Sequence, residues 1–200
     1  MSSVVDIANM ALSNIGDSAT VSNLTPPEGS AQATHCARFY PMARDSLLEL
    51  HDWAFATRRA TLALLSDAPA FGYAYAYQAP NDMLKARFVV DPSLPGTPVD
   101  FVVEDDGTNK TILTDQANAA MLYTMRVTDT GKFPPLVEMA LSWLLSAYLA
   151  GPIIKGNEGT RTGDAMRERA MALADIAATS SANASSTSQD FQPSSVRARA

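Results

Sequence analysis

The stretch that follows Pro134 and Pro135 constrains the fold more than any other in the chain. A proline pair suits the opening of a helix, because the ring fixes φ and the missing N–H has no partner in a first turn anyway. Leu136, Met139, Ala140, Trp143, Leu144, Ala147 and Tyr148 then form a wide apolar stripe, which Leu141 and Leu145 widen further. A helix apolar on nearly all sides must be surrounded. Its membrane-like part, Met139 to Ile154, falls short of the roughly 20 residues a span needs. It also contains Ser142, Ser146, Gly151 and Pro152, so the reading is a buried helix at the centre of a helical bundle, weakened or ended at Gly151 and Pro152.

Three further helices are expected around it. Ser3 and Asp6 have the spacing of an N-cap and its capping partner, and Val4, Ile7, Ala8, Ala11, Leu12 and Ile15 then recur at helical spacing up to Gly16. Residues 17–29, with Pro26 and Pro27 adjacent, read as a loop. A longer helix starts near Ser30, with Cys36, Phe39, Tyr40, Ala43, Leu47, Leu50 and Ala54 on one face and Pro41 as an interruption. Gly156, Gly159 and Gly163 read as a linker into a last helix, whose inner face is Met166, Ala170, Leu173, Ala174 and Ala177.

From Thr57 the period shifts to two. Phe71, Tyr73, Tyr75 and Tyr77 alternate with Gly72, Ala74 and Ala76, which predicts a strand with an aromatic face. That face can stack on a sugar or a neighbouring subunit, and packing within its own domain is the expected use. Other strands are predicted near 60–65, 83–90, 99–103, 110–113 and 121–127, with Asp105, Asp106 and Gly107 as a turn.

Residues 180–200 are dominated by Ser and Ala. Such a segment cannot bury enough apolar area to offset its ordering entropy by itself. Phe191 is its one large apolar anchor, and Val196, Arg197 and Arg199 give it an apolar, basic tip, so it reads as an arm that docks on a partner.

The formal charge of −6 speaks against wrapping nucleic acid, which depends on cations neutralising phosphates. A single cysteine excludes an internal disulfide, and the N-terminus has no basic segment followed by an apolar one, so synthesis in a cytoplasm is expected. His35 and Cys36 are neighbours in a helix and point about 100° apart, while Cys36 and His51 are separated by roughly 22 Å of helix, so neither pair suits nucleophilic catalysis. Asp105, Asp106 and Asp115 are the carboxylates that a glycoside hydrolase reading would need, and turn chemistry accounts for the first two. No phosphate-loop motif occurs, and the two histidines and one cysteine are too scattered for a transition-metal site. No catalytic, cofactor-binding or metal-binding residue is assigned.

The residues Cys36, Tyr40, Pro41, Arg44, Asp45, Leu48, His51, Trp53, Phe55 and Ala56 resemble the second-helix signature of the tail tubular protein A family, the head-to-tail adaptors of short-tailed bacteriophages. In the same order follow the Tyr-rich segment before Pro80, Asn81 and Asp82, the acidic turn with Thr114 and Asp115, the Tyr123 segment ending in Val127, Thr128 and Asp129, and the Phe133–Pro134 helix start. The similarity spans roughly Val4 to Leu149. Asp52 stands where the family often has proline, and Ala54 where it often has a polar residue. The resemblance implies a subunit of a ring, dodecameric in that family, that sits below the portal protein in the virion. It further implies contacts with a tail nozzle protein of the tail tubular protein B type and with tail fibres, and a lumen that passes genomic DNA without specific binding.

Residues and resemblance together give an α+β expectation: a four-helix bundle (1–56 and 132–179), an inserted small antiparallel β-domain (57–131), and an extended C-terminal arm (180–200). The expected function is structural, with no membrane partner. A polysaccharide-active tail enzyme and a small monomeric binding module are the alternatives.

Overall fold

The structure, a computed structural model, describes residues 2–94, 96–105, 107 and 109–185, with backbone alone for 183–185. The first helix, α1 (Val4–Asn14), opens on the capping box the sequence announces. The Ser3 hydroxyl accepts from the Asp6 amide at 3.1 Å, and the Ser3 amide donates to the Asp6 carboxylate at 2.8 Å. Helix α2 (Ala31–Leu50) is capped by Ser30 and carries Pro41 inside it. It ends where His51 turns extended, so Leu50 is exposed and Ala54 lies beyond the helix, not on its buried face.

Helix α3 (Pro135–Ile154) runs through Gly151 and Pro152 before Lys155 stops it at φ +66°. By length and composition it could cross a membrane, and about half of it is buried inside this fold. Its deepest side chains are Ala140, Leu145, Ser146, Leu149 and Ala150, while Met139 from the predicted stripe is 46% exposed. Helix α4 (Gly156–Ser185) starts immediately afterwards. The glycines read as linker are therefore helical. A methyl group on Gly159 would come 2.9 Å from the carbonyl oxygen of Ala150, and one on Gly163 would come 3.1 Å from that of Ala147. Glycine is there because α3 and α4 lie too close for a Cβ.

The helices do not make the expected four-helix bundle, because the pairs that would close a ring of four are missing or slight. Among the described residues, helices α1, α2 and α4 each pack on α3, α1 and α2 barely touch, and α4 lies chiefly along α3. The buried face of α4 is alanine at positions 170, 174 and 177, short side chains that let it sit flat on α3. Arg167 covers the Tyr148 ring and Arg169 the Trp143 ring, at 5.6 and 4.7 Å from the centroids. A core helix flanked by three others replaces a closed ring of four.

The β region is two four-stranded antiparallel sheets. Its strands are β1 (Thr57–Thr61), β2 (Ala63–Leu64), β3 (Tyr75–Gln78), β4 (Met83–Val90), β5 (Pro98–Val99), β6 (Phe101–Asp105), β7 (Lys110–Thr114) and β8 (Ala120–Met125). One sheet has the order β1-β8-β4-β5 and the other β2-β3-β7-β6. The chain changes sheet twice through a single residue, Leu62 between β1 and β2 and Asp100 between β5 and β6. Tyr77 and Ile112 from one sheet meet Val89, Met121 and Tyr123 from the other in a shared core. The architecture is thus α+β with four helices and two small sheets. Helix α4 continues to Ser185, so the first residues assigned to an extended arm are helical.

Candidate functional site

Two features stand out, a polar joint between helices and sheets and an apolar groove beside it. The joint is built on Trp53, which is wholly buried just past the end of α2 and donates its indole N–H to the Leu47 carbonyl at 2.9 Å. His51 meets its ring edge-on at 5.3 Å, Phe55 lies at 5.7 Å, and Phe133 meets Phe55 at 5.8 Å. Into this cluster β4 sends Arg87, whose side chain is only 8% exposed. Its guanidinium donates to the hydroxyl of Thr124 on β8 at 3.0 Å, to the hydroxyl of Thr57 on β1 at 2.8 Å, and to the Trp53 carbonyl at 3.3 Å. Asp52 faces the same guanidinium at 3.2 Å. Burial lowers the Arg87 pKa, and the Asp52 carboxylate opposes that shift.

A second link runs through Asp45 on α2. One of its oxygens accepts from Arg44 at 2.7 Å and the other from Arg126, just after β8, at 2.8 Å. Chemically the joint can hold helices and sheets in one relative orientation.

The groove, about 440 Å³, lies between three segments. Ala54 and Phe55 form one side, Pro134 to Val137 a second, and Ala177, Ser180 and Ser181 of α4 the third. The Ala54 amide donates to the Ser181 hydroxyl at 3.3 Å, and His51 Nε2 lies 3.1 Å from Asp175, so the end of α4 is tied to the segment after α2.

Of the residues singled out from sequence, Tyr40, Arg44, Asp45, Trp53 and Phe55 gather at or near the joint. Tyr40 is 5% exposed with a buried hydroxyl that has no partner among the described residues, and burial pushes its pKa up to about 12. Pro41 and Arg44 line a smaller cleft of about 210 Å³ with Tyr40, Thr25 and Thr128. The aromatic stripe is not one strand face. Gly72, at φ +90°, breaks the extended run, β3 begins only at Tyr75, and Phe71 is left 88% exposed in the preceding loop. Tyr73 is half-buried there. Tyr75 and Tyr77 do share a face, with ring centroids 6.3 Å apart, and the buried Tyr77 donates its hydroxyl to the Gln116 carbonyl at 2.7 Å.

The candidates for chemistry are occupied otherwise. Cys36 is buried, and desolvation raises its thiol to about 11. The ring of His35 stacks on Phe39 at 6.3 Å. Asp105 accepts from the Gly107 amide and Asp115 from the Ala74 amide, both at 2.8 Å, while Asp106 lies outside the described residues. Among the described residues, no three His, Cys, Asp or Glu side chains are grouped to hold a metal ion. Phe191, Val196, Arg197 and Arg199 also lie outside the described residues.

Sequence reading passed over Arg87 and Arg126, because an arginine alternating with apolar residues in a strand looks like a solvated one. No protein-family model matches the chain, and no curated protein matches it.

Proposed function

We propose that this chain is a structural subunit of a phage head-to-tail adaptor, forming a ring beneath a portal that joins capsid to tail nozzle and lets DNA pass. The observation that carries the reading is the joint. Two residues that carry the resemblance to the tail tubular protein A family make the link between helices and sheets: Asp45 of α2 holds Arg126 just after β8, and the Trp53 carbonyl accepts from Arg87 of β4. A subunit that hands force from one ring to the next needs such a link to be stiff.

Two other features support the reading. Exposed apolar side chains occur on both parts of the molecule, Met42, Leu50, Met139 and Ile176 on the helices and Leu64, Phe71, Leu94, Val102 and Val103 on the β part, as suits a protein with neighbours at each end. The net charge of −6 per chain would make a ring of about twelve copies strongly negative, and a negative bore repels passing DNA. The partners in this reading are further copies of the chain, the portal, the nozzle and tail fibres.

The test is to mix the purified protein with portal protein and measure the mass of the product, then to withhold the protein during particle assembly. A defined multimer on the portal, and filled heads without tails when it is withheld, are expected. A monomer that ignores the portal, or complete virions without it, would overturn the proposal.

A further inference from the structure

The groove between Phe55, Pro135, Leu136 and Ala177 is apolar on three sides, and the chain itself supplies a candidate occupant. Ser181 is on its wall, and α4 continues for only one more turn, to Ser185. Residues 186–200 follow, and among them Phe191 is the sole aromatic and, with Val196, one of two large apolar side chains. From Ser185 to Phe191 the chain can span roughly 20 Å when extended. The distances to be covered are shorter: Ser181 lies about 6 Å back along the helix from Ser185, and Ala177 about 12 Å.

We infer that this groove is the docking site for Phe191 of the same chain. A phenyl ring is the right kind of body for a site walled by another phenyl ring and two prolines, and it is rigid enough to dock at small entropic cost. The link through Ser185 gives the ring an effective concentration on the order of millimolar, which outcompetes a second copy at the micromolar concentrations of a dilute protein. Ser180 and Ser181 at the lip supply hydroxyls for the backbone that carries the ring in. The inference concerns the isolated chain and does not rest on the adaptor reading. If both hold, the arm is parked on its own subunit until a partner offers a better site.

The experiment uses the full chain with photoreactive p-benzoylphenylalanine at position 191, irradiated at low micromolar concentration and mapped by mass spectrometry. Cross-links to residues 134–137 or 177–181 within a single chain are expected. Cross-links between two chains, or to other parts of the same chain, overturn the inference. A second measurement follows amide hydrogen exchange in the full chain carrying Phe191→Ala. Exchange over 177–185 should rise about tenfold, and exchange equal to that of the unsubstituted chain overturns the inference, whatever the portal does.

Discussion

Arg87 and Trp53 are joined twice over: the Arg87 guanidinium donates directly to the Trp53 carbonyl at 3.3 Å, and also to the Thr57 hydroxyl, which itself donates to that carbonyl at 2.5 Å. One backbone oxygen at the end of the helical part thus anchors strands β1 and β4, and Arg87 ties β8 to the same point through Thr124. Hydrogen bonds from a charged donor are worth more than neutral ones, and the buried Thr124 hydroxyl loses its partner if the donor goes.

Arg87→Ala should therefore cost about 2–3 kcal/mol, because it breaks three charge-assisted bonds at a buried site. Asp52 is more than half exposed and adds little to that figure. Arg87→Lys keeps the charge but not the planar fork, so it should recover only part of the loss. Urea unfolding midpoints check both variants, and equal midpoints for Arg87→Lys and the unsubstituted chain would show that geometry is irrelevant here.

Gly151 of α3 and Gly159 of α4 give an opposed pair of outcomes. Alanine is the better helix former by about 1 kcal/mol at a free helical position, and Gly151 of α3 has open space around its missing Cβ. Gly151→Ala should stabilise by roughly 0.5–1 kcal/mol. Gly159→Ala should instead destabilise by about 1–3 kcal/mol, since its methyl group meets the Ala150 carbonyl oxygen at 2.9 Å and backbone must move to make room. If thermal melts place both variants on the same side of the parent, the close helix contact is wrong.

These glycines mark where sequence stops being informative. The Ser3–Asp6 cap, the proline start of α3 and the strand at Met83–Val90 follow from local rules, and local rules suffice because each is decided by neighbours in the chain. Gly159 and Gly163 look the same in a loop as in a helix that must approach another, and only the partner helix distinguishes the two, whereas Gly156 at φ +61° has open space and does turn the chain as a linker glycine would. The changes of sheet at Leu62 and Asp100 are equally silent, because one residue interrupts the alternation without shifting it. The same limit hid the joint: Trp53 and Asp45 were legible as members of a signature, whereas Arg87 and Arg126 acquire their roles only when β4 and β8 are folded against α2.

Alkaline titration should reveal the buried acids. Burial raises Cys36 from 9.0 to about 11 and Tyr40 from 10.0 to about 12, and burial followed by the hydrogen bond to Asp82 raises Tyr123 to about 12. In each case the folded chain holds its proton to higher pH than the unfolded chain does. Stability from these groups is therefore fully present below about pH 9 and declines as pH rises through 11 to 12. Tyr40→Phe tests the sign. At pH 7 it removes a buried hydroxyl without a partner among the described residues and should be neutral or stabilising by up to about 1 kcal/mol, and above pH 10 its decline should be shallower than the parent's. A steeper decline in denaturation midpoint with pH would contradict the assignment.

Phe71 separates folding from association. At 88% exposure it buries almost nothing within the chain, so Phe71→Ala should change stability by no more than about 0.5 kcal/mol. A large aromatic ring held out from a loop before β3, behind a glycine at φ +90°, is however the type of side chain that anchors protein interfaces, where truncation costs on the order of 2 kcal/mol or more. In the adaptor proposal the β part meets the next tail component, so Phe71→Ala should weaken binding of the nozzle protein by at least about tenfold, since every 1.4 kcal/mol is a factor of ten. Met139, exposed on the helical part, provides the control: Met139→Ala should leave nozzle binding unchanged. Titration of each variant with nozzle protein decides the matter, and equal affinities for Phe71→Ala and the parent would remove the ring from the contact.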